Sequence, residues 1–171
     1  MTILTILHYP DSTLRKTSLL VDPKDATIPG LIADMFETLA IDGIGLAAPQ
    51  VDVLKRVVVI DLGSDQDIPP FALINPEICW CSERTVPYSN GCLSLPGVYA
   101  DVVRPEEIEV KYLDENFNQH HLKANDLLAV CIQHEIDHLD GKLFIDHLSK
   151  LKREVLIRKF VKKTQRSTEL P

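Results

Sequence analysis

The sequence has only seven glycines and eleven prolines in 171 residues, no internal repeat and no low-complexity stretch. That excludes a collagenous or disordered chain. No apolar run is long enough to span a membrane. The short one in MTILTIL is interrupted by Pro10 and Asp11, and no basic leader precedes it, so the expectation is a cytoplasmic chain without a membrane contact. Four cysteines (Cys79, Cys81, Cys92, Cys131) with no secretion signal read as buried thiols or metal ligands, not as a disulfide frame. No linker or shift in composition divides the chain, and its length suits one domain spanning 1–171.

Hydrophobic residues make up 45% and charged residues 25%, the balance of a soluble globular protein. The net charge of -7 hides an asymmetry. Residues 147–171 hold eight Lys/Arg against Glu154 and Glu169, a local +6, which leaves -13 on the first 146. An acidic body argues against DNA as a partner, while the basic C-terminal helix and tail suit a phosphate-rich one.

Apolar residues at Leu31, Ile32, Met35, Phe36 and Leu39 predict a helix over Pro29–Asp42, stopped by Gly43. The β-branched run Val53–Gly63 predicts a buried strand. Further strands are expected at Phe71–Cys81, Tyr99–Pro105 and Ile108–Gln119, the last turning at Asp114-Glu115-Asn116. From Asn125 or Asp126 as cap, LLAVCIQHEIDHLD runs unbroken to Gly141, with apolar residues nearly all round. That pattern belongs to a central, buried helix. Leu148, Leu151, Val155, Leu156 and Phe160 mark an amphipathic terminal helix fraying near Thr164. The predicted class is α+β: small mixed or antiparallel sheets around a central buried helix, followed by that amphipathic helix.

The central helix carries QHEIDHLDG at 133–141. Residues four apart share a helical face, so His134 and His138 can present both imidazoles to one ion with Glu135 beside them as a proton carrier. Two imidazoles and a carboxylate on an apolar helix are costly to bury with nothing to satisfy them, which favours a cation over core histidines. A catalytic site needs a third protein ligand. Phe144 stands where a third histidine would fall in one large class of metalloproteases, which excludes that ligand set. Glu154 lies in a basic amphipathic segment, where a solvated charge is the simpler reading. Cys131 shares the histidines' face, and three ligands in one row on one helix are poorly shaped for a tetrahedral ion. Cys79 and Cys81 read as packing residues on one side of a strand. Spacing alone leaves Cys131 and Glu154 open, and Cys92, in a loop that Gly91 and Pro96-Gly97 allow to bend, is the better candidate.

GIGLAAPQ at 43–50, GCLS at 91–94 and QHEIDHLDG at 133–141 resemble the three signature motifs of the peptide deformylases, in their order and approximate separations. The likeness extends to LHYPDSTLR at 7–15 and GKLFIDHLS at 141–149. It implies a bacterial enzyme that removes the formyl group from formyl-methionyl nascent peptides. Cys92, His134 and His138 would be metal ligands and Glu135 the general acid/base. The Gln50 amide and the Leu93 backbone N–H would face the oxyanion. Ile44, Gly45, Leu127, Val130 and Cys131 would form the methionine pocket and its wall. The resemblance implies Fe2+, often replaced by Zn2+, Ni2+ or Co2+, and a ribosome contact through the basic terminal helix. A thiolate and two neutral imidazoles leave a divalent ion near +1, enough to acidify water beside it. Two departures stand out: Asn90 replaces the family's usual glutamate, which would leave Arg104 without that carboxylate, and Tyr99 stands where many members have arginine. The competing expectations are a small metalloprotease, or a catalytically silent metal-binding domain.

Overall fold

A computed structural model describes residues 2–168, with the side chains of 165–168 excluded. The end of the basic tail, 169–171, lies outside the described residues. Helix α1 (Ile28–Leu39) is followed by β1 (Gly45–Ala47), β2 (Val57–Ile60), β3 (Phe71–Cys81), β4 (Thr85–Asn90), β5 (Ala100–Pro105), β6 (Glu107–Leu113) and β7 (Gln119–Asn125), then by α2 (Asp126–Leu139) and α3 (Lys150–Thr168). Five strands form an antiparallel sheet in the order β1-β2-β3-β6-β7, and β4 pairs with β5 in a separate ribbon. This is the expected α+β class with antiparallel sheets.

The main sheet is covered on both faces at its β1–β2 side. In β2, Val58 and Ile60 pack towards α2, while Val57 and Val59 pack towards α1. All four are buried, which is why this strand reads as a continuous apolar run without alternation. Burying each contributes roughly 1.5–3 kcal/mol. Helix α2 runs through the interior, with every residue from Leu128 to Ile136 buried. It stops at Gly141, whose φ of +71° and contact with the Arg15 carbonyl (an added Cβ would lie 2.6 Å away) admit no side chain.

Several boundaries differ from the sequence reading. Helix α1 ends at Leu39, and Gly43 (φ +106°) shapes the turn that follows. The strand expected from Val53 is confined to Val57–Ile60, because Lys55 and Arg56 turn outward to pair with Asp25 and Asp140. Asn125 precedes α2 but makes no side-chain capping hydrogen bond. Helix α3 continues past Thr164 to Thr168, and its Phe160 is buried against Tyr9, ring centroids 6.4 Å apart. No helix among the described residues is long and apolar enough to cross a membrane.

Candidate active site

Helix α2 brings the two histidine rings edge to face, centroids 4.9 Å apart and Nε2 atoms at 3.2 Å. Cys92 arrives from the loop after β4. That loop is bent by backbone bonds from Leu95 N to the Cys92 carbonyl (3.0 Å) and from Val98 N to the Leu95 carbonyl (3.1 Å), with Gly97 at φ +73°. Burial of Leu95 and Val98 anchors it. The thiol sulfur thereby sits 3.2 Å from His138 Nε2, and the three donor atoms of Cys92, His134 and His138 all lie within 4.8 Å of one another. Phe144, at the position a third histidine would need, is buried with its ring against His134, centroids 6.2 Å apart. Glu154 lies by Arg158 on the next turn of α3, outside the cluster.

The electrostatics of this cluster suit a cation. Burial drives the His138 pKa down to about 4, with Arg104 and Arg15 adding to the effect and Asp137 opposing it. Burial and His138 hold His134 well below its ordinary range. Two neutral rings therefore bring their Nε2 atoms, and the loop brings one thiol, to a common space. Burial, then the nearby Glu135 charge, pushes the Cys92 thiol up to about 12; with no cation its anion is unfavourable there. Burial likewise lifts Glu135 to about 8, Arg104 opposing and Asp137 adding. Glu135 Oε2 and His138 Nδ1 are buried without a hydrogen-bond partner among the described residues. A converging soft and borderline donor set, with an orphaned carboxylate oxygen beside it, fits a divalent metal.

A cavity of about 310 Å³ opens in front of the cluster, and its walls include Gln50, Leu93, His134, Glu135, Ile44, Gly45, Leu127, Val130 and Cys131. His138 lies deeper, 1% exposed. The Gln50 side chain is fixed: its Oε1 accepts from Ala47 N at 2.9 Å, so Nε2 faces Ser94 Oγ (3.2 Å) and Cys92 Sγ (3.7 Å). GIGLAAPQ is more than a turn, since Gly45 and Leu46 pair with β2. A Cβ on Gly45 would lie 2.6 Å from Glu135 Oε1 and 2.8 Å from Cys131 Sγ. Gly45→Ala must therefore displace the carboxylate; we expect turnover to fall about 10²-fold with little change in melting temperature, as steady-state kinetics and thermal unfolding would show. The cavity also takes in Tyr88, Asn90 and Tyr99, which the motifs did not assign. Tyr99 lies over Gly91, whose added Cβ would be 2.6 Å from the ring.

Asn90 turns its amide to the Tyr88 carbonyl at 2.8 Å. Arg104, deprived of a carboxylate at position 90, is paired instead by Asp137: Nη2 to Oδ2 is 2.9 Å, and His147 Nε2 reaches the same oxygen at 2.7 Å. Arg104 Nε is left buried without a hydrogen-bond partner among the described residues. The pair fastens the β4–β5 ribbon, from which the Cys92 loop springs, to the helix bearing both histidines. Removing one partner of a buried pair strands the other, so Asp137→Ala should cost about 3–5 kcal/mol in urea unfolding.

Comparison with known proteins agrees with this geometry. The polypeptide deformylase family model matches residues 3–154. Peptide deformylase from Stenotrophomonas maltophilia is 50% identical over 166 residues, covering 95% of this chain and 96% of its own. That from Azotobacter vinelandii is 51% identical over 163 residues, with the same coverage. The crystal structure of a peptide deformylase from Legionella pneumophila superposes with a TM-score of 0.91 at 42% identity, over 99% of this chain and 100% of that one. The chain belongs to the polypeptide deformylase family, a family of metalloenzymes. Its reaction is hydrolysis of the N-formyl group from formyl-methionyl polypeptides, with release of formate.

Proposed function

We propose that Cys92, His134 and His138 hold one divalent ion and that Glu135 moves the proton in deformylation. The convergence of the thiol and two imidazoles within 4.8 Å, with Glu135 buried next to them at a cavity wall, carries this reading. When bound, the ion supplies a Lewis acid and an acidified water for attack on the formyl carbon. Glu135 accepts the proton released in that attack and returns it to the departing amide nitrogen, which leaves as the free amine of methionine. Gln50 Nε2, directed by its bond to Ala47, and the Leu93 backbone N–H donate to the formyl oxygen as charge gathers there. Leu127, Val130, Cys131 and Ile44 receive the methionine side chain, and Gly45 lets the peptide backbone approach. The physiological ion is Fe2+; the same donors accept Zn2+, Ni2+ or Co2+.

Formyl-Met-Ala-Ser with the iron-loaded chain under anaerobic conditions should yield formate and free Met-Ala-Ser. An intact formyl peptide would favour a silent metal-binding domain. Cleavage of unformylated peptides at internal bonds would favour a protease.

The working place of the enzyme is the bacterial cytoplasm, and the exposed Lys152, Lys159 and Lys162 of α3 would meet ribosomal phosphates. Deleting α3 would also strip buried Phe160 from the core, so the discriminating variant reverses those three charges. Ribosome affinity should fall, and its dependence on salt should flatten.

A further inference from the structure

Cys79 does not pack as its strand pattern suggests. Ile78 pairs with Val110 and Trp80 with Glu109, so β3 advances two residues where β6 advances one. Cys79 is the extra residue of a β-bulge, and bulges re-aim side chains. Ile78, Val110, Leu122 and Ala124 face α2. Cys79 is exposed on the outer face of the sheet, beside the half-buried Glu109 of β6 and the exposed His121 of β7. Its sulfur lies 3.3 Å from His121 Nε2, and that nitrogen lies 3.7 Å from Glu109 Oε2. All three donor atoms fall within 4.8 Å of one another.

We propose that Cys79, Glu109 and His121 form a second cation site, separate from the cavity, for a borderline divalent ion of the zinc class. Zinc bound by sulfur, nitrogen and oxygen at about 2.0–2.3 Å in a tetrahedron sets its ligand atoms roughly 3.3–3.8 Å apart. The sulfur–nitrogen and nitrogen–oxygen separations of 3.3 and 3.7 Å fall in that range, and the sulfur and the carboxylate oxygen lie within 4.8 Å of each other. The donors come from three hydrogen-bonded neighbouring strands, so the spacing is held by backbone and little ordering is needed on binding. Lys123, the register partner of Glu109, is engaged elsewhere: its ammonium is 3.1 Å from Glu107 and 5.8 Å from the Trp80 ring centroid. A thiolate and an imidazole select a zinc-class ion over magnesium or calcium, which prefer oxygen throughout. Exposure leaves the fourth position to water. Binding replaces the thiol proton by the ion, so one proton is released to solvent.

The site makes no use of the deformylase residues, and its test is independent of them. The full-length chain, stripped of metal and dialysed against buffered micromolar zinc, should hold one more equivalent than either Cys79→Ser or His121→Ala, by elemental analysis. Cys92→Ser should keep the Cys79-dependent equivalent. Both outer-face variants should retain the deformylase turnover of the parent. In the unaltered protein, zinc should slow alkylation of Cys79 by iodoacetamide at least tenfold, while Cys81, exposed on the same strand, reacts at an unchanged rate. Equal zinc content in parent and Cys79→Ser, or alkylation of Cys79 indifferent to zinc, would overturn the proposal.

Discussion

Glu135→Gln should lower formate release by about 10²–10⁴-fold while leaving bound metal and the folded state intact. The amide has the shape of the carboxyl group but cannot take or return a proton. Glu135 is 4% exposed and sits among Gly45, Cys131 and the metal-ligand candidates, so an isostere is the least disruptive change available. A parallel loss of metal and activity would reassign Glu135 from proton carrier to structural support.

The same variant has a second signature in the metal-free chain. Burial raises the Glu135 pKa from 4.5 to about 8, so between those values the folded chain keeps a proton that the unfolded chain has released. Stability therefore falls as pH rises through that window. The two histidines act in the opposite sense: burial lowers both, and their contribution to stability grows with pH up to the unfolded value of 6.5. About one pH unit above it they are neutral in both states. From about pH 7.5 to 8 the Glu135 effect should dominate, with a slope of at most about 1.4 kcal/mol per pH unit. Urea midpoints measured with a chelator present should decline across this interval in the parent and stay level in Glu135→Gln.

The buried strands and the central helix of this fold were legible in the sequence, and two strands with little to bury, β4 and β7, were not. Strand β3 was expected over its observed Phe71–Cys81, and α2 was foreseen because apolar residues surround it on every side and Gly141 ends it. Strand β4, TVPYSN, carries Pro87 and alternates with polar residues on an isolated ribbon. Strand β7, QHHLKAN, has only Leu122 and Ala124 to bury. Both are edge strands held by ladder hydrogen bonds, which leave no hydrophobic trace. Cys79 failed for a different reason: the bulge after Ile78 breaks the two-residue period on which facing is inferred. At the candidate site, residue types and spacing brought attention to His134, Glu135 and His138 and made Cys92 the better third candidate, and the fold brings the donor atoms of Cys92, His134 and His138 within 4.8 Å of one another. What spacing could not supply was the supporting pair of Arg104 and Asp137, since a partner 33 residues distant has no periodic signature.

Cys92→Ala should abolish turnover by removing the metal, and with it any stabilisation that the metal gives the fold. A hundredfold excess of ion over its Kd stabilises a chain by about 2.7 kcal/mol, so the parent should melt higher with metal than with chelator, and the variant should melt alike in both. The pH dependence separates a ligand from a bystander. The thiol lies near 12 in the metal-free site, driven there by burial and by Glu135, so at neutral pH it is protonated and the ion must displace that proton. Affinity in the parent should then rise with pH, by up to about tenfold per unit from this group. The histidines add nothing to that slope above neutrality, being uncharged already. Any residual metal binding by Cys92→Ala, at ion concentrations far above those that fill the parent, should show a flatter pH profile, whereas Cys131→Ala should keep both metal and slope. Cys131 is the more deeply buried of the two, but its sulfur contacts the Ile44 carbonyl at 3.7 Å and stands outside the donor cluster. Full metal retention with an unchanged slope in Cys92→Ala would mean that the two imidazoles recruit a different third donor.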